Sequence, residues 1–297
     1  MLRGRRPIFF LVLFFIGLST KSQQYQPVIG EIDYKSPVHI LKFADYLHQT
    51  ADHNRSVIEY QRYLSATGST GLITCGFKLA DSYRQLGKLE KAINNYEIIQ
   101  QTATIASENW WLAQSEIGQT YFLFGDYFRS ITAFNKIANS PNKYRAKGKI
   151  WLGINQIFLG QFDLAQEYFS FTTVNPNPSD EILDYYQSMV EEGKKLPTKS
   201  PFVAGILSAL LPGAGRIYLG RLGDFFNTLP TITLIGLLSY SGFRHQKERS
   251  IKGWSFSVVG SMFYLSNIYG SWLGAKIHNR QISEDFLRKI VIPLSNY

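Results

Sequence analysis

The sequence predicts an all-α protein in which a solenoid of helical-hairpin repeats is followed by an α-helical membrane hairpin. Two observations lead to this fold class. A glycine-centred pattern recurs at a period of about 34 residues, which is typical of stacked helix pairs. Two later segments, 225–243 and 253–275, contain no charged residue over 19 and 23 positions and are long enough to cross a bilayer. The repeat anchors, spaced 36, 38 and 35 residues apart, are Ala51, Gly87, Gly125 and Gly160.

The chain begins with what resembles an export signal, over residues 1–22. Three arginines precede an apolar stretch from Ile8 to Leu18, and small or polar residues follow it. This order is that of a secretory signal peptide, and cleavage after Ser22 suits the small-residue rule for such sites. Eleven apolar residues are few for a hydrocarbon core of ~30 Å, and an uncleaved membrane anchor is the alternative.

Small and aromatic residues take fixed places around each turn glycine. A small residue lies seven positions before the glycine, another lies five after it, and an aromatic residue lies nine after it. The last two are four apart and therefore share one face of the second helix. The small residues let two helices approach closely, and the glycine supplies the positive φ that ends the first helix. These positions are Ala80, Ala92 and Tyr96; Gly118, Ser130 and Phe134; and Gly153, Ala165 and Phe169.

This pattern resembles that of the tetratricopeptide repeat family. The resemblance covers residues 37–179 in four copies, of which the first is the loosest because Ala51 replaces the turn glycine. Residues 180–195 are expected to form a final solvated helix that covers the last hydrophobic face, so the solenoid extends over 37–195. Repeats of this family usually bind proteins, so the resemblance implies a scaffold and not an enzyme.

The resemblance also implies a binding groove along the concave side, formed by the first helix of each repeat. An extended peptide or an amphipathic helix is the expected ligand. The matching positions are Phe77, Asp81, Arg84, Ser115, Gln119, Phe122, Ile150, Ile154 and Ile157. For the three isoleucines an equal alternative is that they pack beneath the following helix.

After a short linker at 196–200 the composition becomes that of a membrane domain, expected over 200–280 and followed by a C-terminal tail, 281–297. A short apolar helix, 202–211, is expected to dip into the membrane interface and to turn back at a glycine-rich motif. The motif resembles the beginning of the small two-transmembrane-helix domain family, where a glycine-rich stretch precedes Tyr-Leu-Gly-Arg. Its residues are Pro212, Gly213, Gly215, Tyr218, Gly220, Arg221 and Asp224. Buried core helices of a soluble domain are the alternative.

Two charged residues of this motif have two possible roles. Asp224 directly precedes the first predicted span, where a carboxylate can cap the helix and pair with Arg221 three residues earlier. Tyr218 and Arg221 would then lie at the level of the lipid headgroups. The other interpretation is a lipid, proton or substrate site, because ionisable residues at membrane depth are costly and usually functional.

The net charge of +9 lies entirely in the C-terminal part. Residues 1–193 hold 18 basic and 18 acidic side chains, whereas residues 194–297 hold 13 and 4. The basic residues flank apolar segments, which favours anionic lipid over nucleic acid as their partner. Between the predicted spans, Arg244, Lys247, Arg249 and Lys252 place the connection in the cytoplasm by the positive-inside rule. With the export signal, this predicts a bacterial inner-membrane protein with its repeats in the periplasm.

The chain offers little for catalysis or metal binding. Its single cysteine, Cys75, has core-like spacing, and the five histidines are too dispersed for a zinc site. Neither a Gly-x-Ser-x-Gly elbow nor a His-Glu-x-x-His motif is present. The sequence therefore predicts a membrane-anchored scaffold without enzyme activity, metal or cofactor, whose repeat groove binds a protein or peptide in the bacterial envelope. The alternative is a membrane domain that handles lipid or moves small solutes under regulation by the repeats.

Overall fold

The computed structural model describes residues 33, 35–140, 144–170, 180–246 and 250–292. These residues form α-helices and one 3₁₀ turn, Gly68–Gly71, and the described ranges contain no strand. The all-α prediction is confirmed for this part of the chain; the predicted export signal lies outside it. The helices are α1 (Pro37–Gln49), α2 (His53–Thr67), α3 (Leu72–Gln85), α4 (Leu89–Thr102), α5 (Glu108–Leu123), α6 (Tyr127–Ala138), α7 (Arg145–Phe158), α8 (Phe162–Ser170), α9 (Asp180–Lys194), α10 (Pro201–Leu210), α11 (Ala214–Tyr218), α12 (Leu222–Gln246) and α13 (Ile251–Leu287).

The first eight helices pack as four consecutive hairpins. Each of them contacts the next helix along the chain, and α9 follows by packing on α8 and α7. Contacts that stay between sequence neighbours are characteristic of a repeat solenoid. The end helix α9 buries Leu183, Tyr186 and Val190 against the core of the last hairpin. This burial gives α9 the covering role that the sequence predicted.

The turns inside the hairpins depend on left-handed backbone conformations. Gly87, Gly125 and Gly160 adopt φ angles of 71°, 77° and 72°, as the turn pattern predicted. Ala51 occupies the same place in the first hairpin and takes φ 60°. A side chain at such an angle is strained, so the first turn is formed at an energetic cost that the glycine turns avoid.

Two glycines of the repeat pattern mark close contacts between the helices of a hairpin. A Cβ atom at Gly118 would lie 2.7 Å from the ring of Phe134, and one at Gly153 would lie 2.4 Å from the ring of Phe169. Both rings are fully buried. The small residue and the aromatic residue of the pattern therefore meet directly, which explains why they recur together.

The C-terminal helices form a second packed group. Helices α10 and α12 both pack along α13, and the predicted segments 225–243 and 253–275 lie within α12 and α13 respectively. Within the described ranges, no helix combines the length and the mean hydropathy that a membrane crossing requires. The two predicted segments therefore lie within helices, but the mean hydropathy of these helices does not support a membrane crossing.

The end of α13 joins the two groups of helices. The sequence placed a boundary at residue 280, but α13 continues without a break to Leu287. Phe286 and Ile290 are buried in the core that also holds Tyr186 of α9. The Tyr186 hydroxyl donates a hydrogen bond to the Val291 carbonyl over 2.7 Å. Residues 281–292 are thus no separate tail, because their apolar side chains complete the end of the solenoid.

Candidate interaction surfaces

The residues predicted to line a concave groove are in the interior of the solenoid. Eight of the nine are buried and Ile150 is half-buried. Phe122, Ile154 and Ile157 belong to the core of the third and fourth hairpins. Phe77 belongs to a second core, which runs from α1 to α6. For the isoleucines the structure shows the packing role that the sequence left open. A partner cannot reach this set without separating the hairpins.

The polar members of the set form one buried network. The Arg84 guanidinium lies 2.5 Å from Asp81 Oδ1 within α3 and 2.8 Å from Glu116 Oε2 on α5. The Gln119 amide donates to Glu116 Oε1 over 3.0 Å and to the Ser115 hydroxyl over 3.1 Å. Each group thereby finds partners that offset the loss of water. Glu116 was not among the predicted residues, although it is fully buried at the centre of the network.

This network, together with one group from each outer repeat, forms what we call the polar ladder. His48 of α1 lies 3.5 Å from Asp81 Oδ2 and 3.1 Å from the Ser82 hydroxyl. Burial lowers the pKa of His48, and the charge of Asp81 opposes that effect. On α7, burial likewise lowers the pKa of Lys147, and Glu116 opposes it. The ladder therefore includes residues from the first helices of all four hairpins.

Five of the solvent-exposed apolar residues of the repeats lie at the turns of the third and fourth hairpins. Phe124 and Leu159, each directly before a turn glycine, are 40% and 44% exposed, and Phe128 is 82% exposed. Equivalent positions in stacked hairpins lie along one side of a solenoid. We call this set the turn edge; its members are Leu123, Phe124, Phe128, Leu159 and Leu164. An apolar residue before the turn glycine indicates this surface in the third and fourth hairpins, whereas Leu86, at the equivalent place in the second, packs against the core.

A cleft of about 450 Å³ lies next to the turn edge, where the repeats meet the C-terminal helices. Its walls come from the α7–α8 turn, the end of α9, the linker and the last turns of α13. The rings of Phe162 and Phe286 meet edge-on with centroids 5.9 Å apart. Lys194 Nζ, at the rim, lies 2.8 Å from Asp163 Oδ1. The cleft thus continues the apolar turn edge into a partly enclosed site.

The glycine-rich motif packs α10 and α11 onto α13. Gly213, at φ 87°, donates its N–H to Asn267 Oδ1 over 3.1 Å, and the Asn267 amide donates to the Ser208 carbonyl over 3.0 Å. The Ser208 hydroxyl donates to Ser271 Oγ over 2.7 Å and accepts from Gly215 N over 3.0 Å. A Cβ at Gly215 would lie 2.1 Å from the Ala204 carbonyl oxygen. These two glycines therefore permit the close contact on which the group depends.

The charged end of the motif lies at the start of α12. Arg221 Nη2 is 2.6 Å from Asp224 Oδ2, the pair that the spacing predicted, and Arg216 approaches the same oxygen at 3.8 Å. Gly220 has φ 77° and so permits the turn before this pair. The Tyr218 hydroxyl accepts a hydrogen bond from the Ser200 amide over 3.0 Å. Pro212 is half-buried beside Gly213. The structure therefore shows the predicted ion pair at the first turn of α12.

Burial in the C-terminal helices is the reverse of that in a water-soluble core. Apart from Leu219, every described residue between 200 and 280 that is buried is a glycine, alanine, serine or asparagine. The large side chains point outward instead. Monomeric water-soluble proteins rarely expose contiguous apolar patches larger than a few hundred Å², and larger ones mark interaction sites. We call this outward-pointing set the apolar outer face; its most exposed members include Phe202, Leu210, Phe226, Leu234, Leu237, Met262 and Leu265.

The described residues include few groups suited to nucleophilic catalysis or metal binding. Burial raises the pKa of the Cys75 thiol to about 12, so the nucleophilic thiolate is scarce at neutral pH. Within the described ranges, no three His, Cys, Asp or Glu side chains are grouped as metal ligands would be.

Comparison with known proteins concerns the repeats. Residues 75–102 match the model of the tetratricopeptide repeat family. This segment contains most of α3 and all of α4, one complete hairpin turn. The match supports the repeat part of the sequence prediction and does not extend to residues 200–280. No curated protein matches the chain significantly. Repeats of this family typically form scaffolds for protein–protein interaction.

Proposed function

We propose that this protein is a non-enzymatic scaffold that binds a protein partner through its repeats while its C-terminal helices contact lipid. The observation that carries the protein-binding part is the turn edge on a solenoid with a tetratricopeptide repeat match. Phe128, the most exposed of its residues, would bury its ring on binding, and aromatic residues dominate the energetics of such contacts. The buried polar ladder supports this surface by linking the first helices of neighbouring hairpins.

The apolar outer face supports the lipid contact. In lipid, large apolar side chains belong outside, and small or polar side chains belong between helices. The hydroxyls of Ser239 and Ser257 are 2.6 Å apart between α12 and α13. In a similar way, the Asn267 amide of α13 donates a hydrogen bond to the Ser208 carbonyl of α10. Some of the polar residues of these helices therefore face a neighbouring helix, whereas others, such as Thr231 and Ser261, are exposed. With 25 residues, α12 is about 37 Å long, comparable with a hydrocarbon core of ~30 Å.

The proposed location is the bacterial inner membrane, with the repeats in the periplasm. The solenoid packs on the end of α13, whereas Arg244 and Lys252 lie at the opposite ends of α12 and α13. By the positive-inside rule those basic residues favour the cytoplasm. The export signal predicted at residues 1–22 would deliver the repeats to the other side.

Site-specific photo-crosslinking in intact cells tests the partner surface. A photoreactive amino acid at Phe128 is expected to give a covalent adduct with another protein, identified by mass spectrometry. The matched control is Lys136, which is exposed on the same helix away from the turn edge. Serine at both Phe124 and Phe128 should abolish recovery of the partner. Equal adducts at Phe128 and Lys136 would contradict a specific surface.

Reporter fusions and vesicle flotation test the membrane part. Fusions after Lys195 and Gln246 should report the periplasm and the cytoplasm respectively; a cytoplasmic signal at Lys195 would overturn the orientation. The purified chain should float with anionic vesicles in a density gradient. Recovery of all the protein in the soluble fraction would contradict the proposed lipid contact.

A polar pocket favours a second candidate function, lipid handling or solute movement by the C-terminal helices. It measures about 240 Å³, and its lining includes Arg216, Asn227 and Ser266. Arg216 of this lining lies 3.8 Å from Asp224, so neutralising Arg221 and Asp224 together should abolish function under this alternative. Under the scaffold proposal the same change should leave partner recruitment intact.

A further inference from the structure

An apolar groove runs along the outside of the C-terminal helices, between α10 and α13. It measures about 450 Å³ and is lined by Phe202, Gly205, Ile206, Leu265, Tyr269 and Trp272, among others. It follows α10 from its first turn to its last, about 10 Å along the helix axis. A long, open and almost wholly apolar groove fits a hydrocarbon chain better than a polar ligand.

Lys276 stands at one end of this groove, and Lys199 lies two residues before the start of α10. Lys276, one turn beyond Trp272, places its ammonium nitrogen 3.8 Å from the centroid of the Trp272 ring. The Lys199 ammonium lies 4.9 Å from the Tyr218 ring. Asn279 holds the Lys199 backbone against α13 through hydrogen bonds of 2.7 and 2.8 Å. Lys276 Nζ thus lies over a residue of the groove lining, and the Lys199 backbone is held next to the first turn of α10.

The charges of the two lysines are not neutralised by neighbouring carboxylates. Across the described ranges, neither ammonium group has a carboxylate oxygen within 4.0 Å, and each rests on an aromatic ring instead. A cation on an aromatic face keeps most of its capacity to bind an anion. The groove therefore combines an apolar floor with unpaired positive charge at one end.

We propose that this groove binds one anionic phospholipid, with an acyl chain along α10 and the phosphate headgroup at Lys199 and Lys276. The proposal rests on the lipid contact proposed above and adds a defined site and a headgroup preference. Charge complementarity selects this occupant: a zwitterionic headgroup brings a cation of its own to the lysines, and an apolar helix of another protein leaves their charge unanswered.

Gly205 provides a way to close the groove without disturbing the fold. A Cβ atom there would lie 3.8 Å from Trp272 Cβ, an ordinary van der Waals distance. The residue is helical and has no positive φ, so its backbone does not require glycine. Leucine at this position is therefore expected to keep α10 intact, while its side chain fills the space between Ile206 and Trp272.

Native mass spectrometry of the full-length protein, released from mild detergent after incubation with phosphatidylglycerol or phosphatidylcholine, tests the site. The unmodified chain should retain one phosphatidylglycerol and hold phosphatidylcholine more weakly. Lys276→Gln should weaken phosphatidylglycerol retention about fivefold, the effect of one lysine at an anionic surface. Gly205→Leu should remove it. The matched controls are Lys252→Gln, at the other end of α13, and Gly236→Leu, in a different cleft; both should retain lipid normally.

The outcomes separate this proposal from the proposed function. If all variants retain both lipids equally and still float with vesicles, the lipid is a nonspecific annulus and the groove site is wrong. If the unmodified chain does not float at all, the proposed lipid contact itself fails. Should Gly205→Leu unfold, as judged by circular dichroism, Lys199→Gln and Lys276→Gln decide the question, because both side chains lie outside the helix packing.

Discussion

At the scale of single residues, the most informative feature is the burial of charge between repeats. Arg84 and Glu116 are almost inaccessible to water, and each is paired across the contact between neighbouring hairpins. Removing one partner of a buried pair leaves the other charge uncompensated, which costs more than the pair itself contributes. Exposed pairs such as Arg129 with Asp126 are worth much less, because water and salt screen them.

Arg84→Ala is therefore expected to lower the free energy of unfolding by about 3–5 kcal/mol. Urea denaturation followed by circular dichroism measures the loss. The matched control, Arg129→Ala, removes an ion pair of similar length from the surface and should cost about 0–1 kcal/mol. Similar losses in the two variants would show that the network does not hold the hairpins together.

His48 gives the solenoid a pH dependence with a definite sign. Burial lowers the pKa of His48 in the folded protein below its unfolded value of 6.5. His53 and Lys78 add to this effect, whereas the charges of Asp81 and Asp45 oppose it. The unfolded chain therefore binds the proton more readily, so stability is unaffected above pH 6.5 and decreases as pH falls below it. Unfolding at pH 7.5 and pH 5.5 should show a smaller decrease for His48→Gln than for the unmodified chain. An equal decrease would exclude His48 as its cause.

At the scale of elements, the hairpins depend on how closely their two helices approach. Gly153→Ala should destabilise the fourth hairpin by about 1–3 kcal/mol, although alanine is the better helix former, because its Cβ would overlap the buried Phe169 ring. Thermal unfolding measures the effect. Gly236→Ala, which meets nothing within 4 Å, is the control and should be neutral or slightly stabilising. Adding Phe169→Leu should recover part of the loss; no recovery would point to a different cause.

The turn of the first hairpin is predicted to improve on substitution. Ala51→Gly should raise the free energy of unfolding by about 1 kcal/mol, since glycine adopts φ 60° without the strain of a side chain. The reverse change in the third hairpin, Gly125→Ala, should lower it by a similar amount at φ 77°. Denaturant titration of the two variants provides the comparison. A loss of stability in Ala51→Gly would mean that the alanine side chain contributes a contact that outweighs its strain.

At the scale of the whole molecule, the end of α13 unites the repeats with the C-terminal helices. Phe286→Ala should cost about 3–5 kcal/mol and expose α9, because the ring is buried in the core of the last hairpin. Hydrogen exchange should show faster exchange in α9 and unchanged exchange in α3. Phe128→Ala, at a side chain 82% exposed, is the control and should leave both unchanged. Undisturbed exchange in α9 would contradict the packing of residues 281–292 on the solenoid.

Much of this architecture is encoded locally. The turn glycines, the small residues and the aromatic residues recur at fixed spacing because each hairpin must solve the same packing problem, although only the structure shows that the ring of Phe134 meets Gly118. The pairing of Arg221 with Asp224 was predictable, because three residues separate them at a helix start. In the same way, the uncharged stretches predicted the positions of α12 and α13.

The sequence by itself determined the repeat period, the hairpin turns and the concentration of positive charge in the C-terminal part, since these depend on composition and on near neighbours along the chain. Only the tertiary structure decided that Asp81, Arg84 and Gln119 are enclosed between hairpins, and that Phe286 completes the solenoid from 100 residues away. The physical reason is that burial depends on which helices stack against one another. Spacing within one helix identifies a face of that helix, but not what covers it.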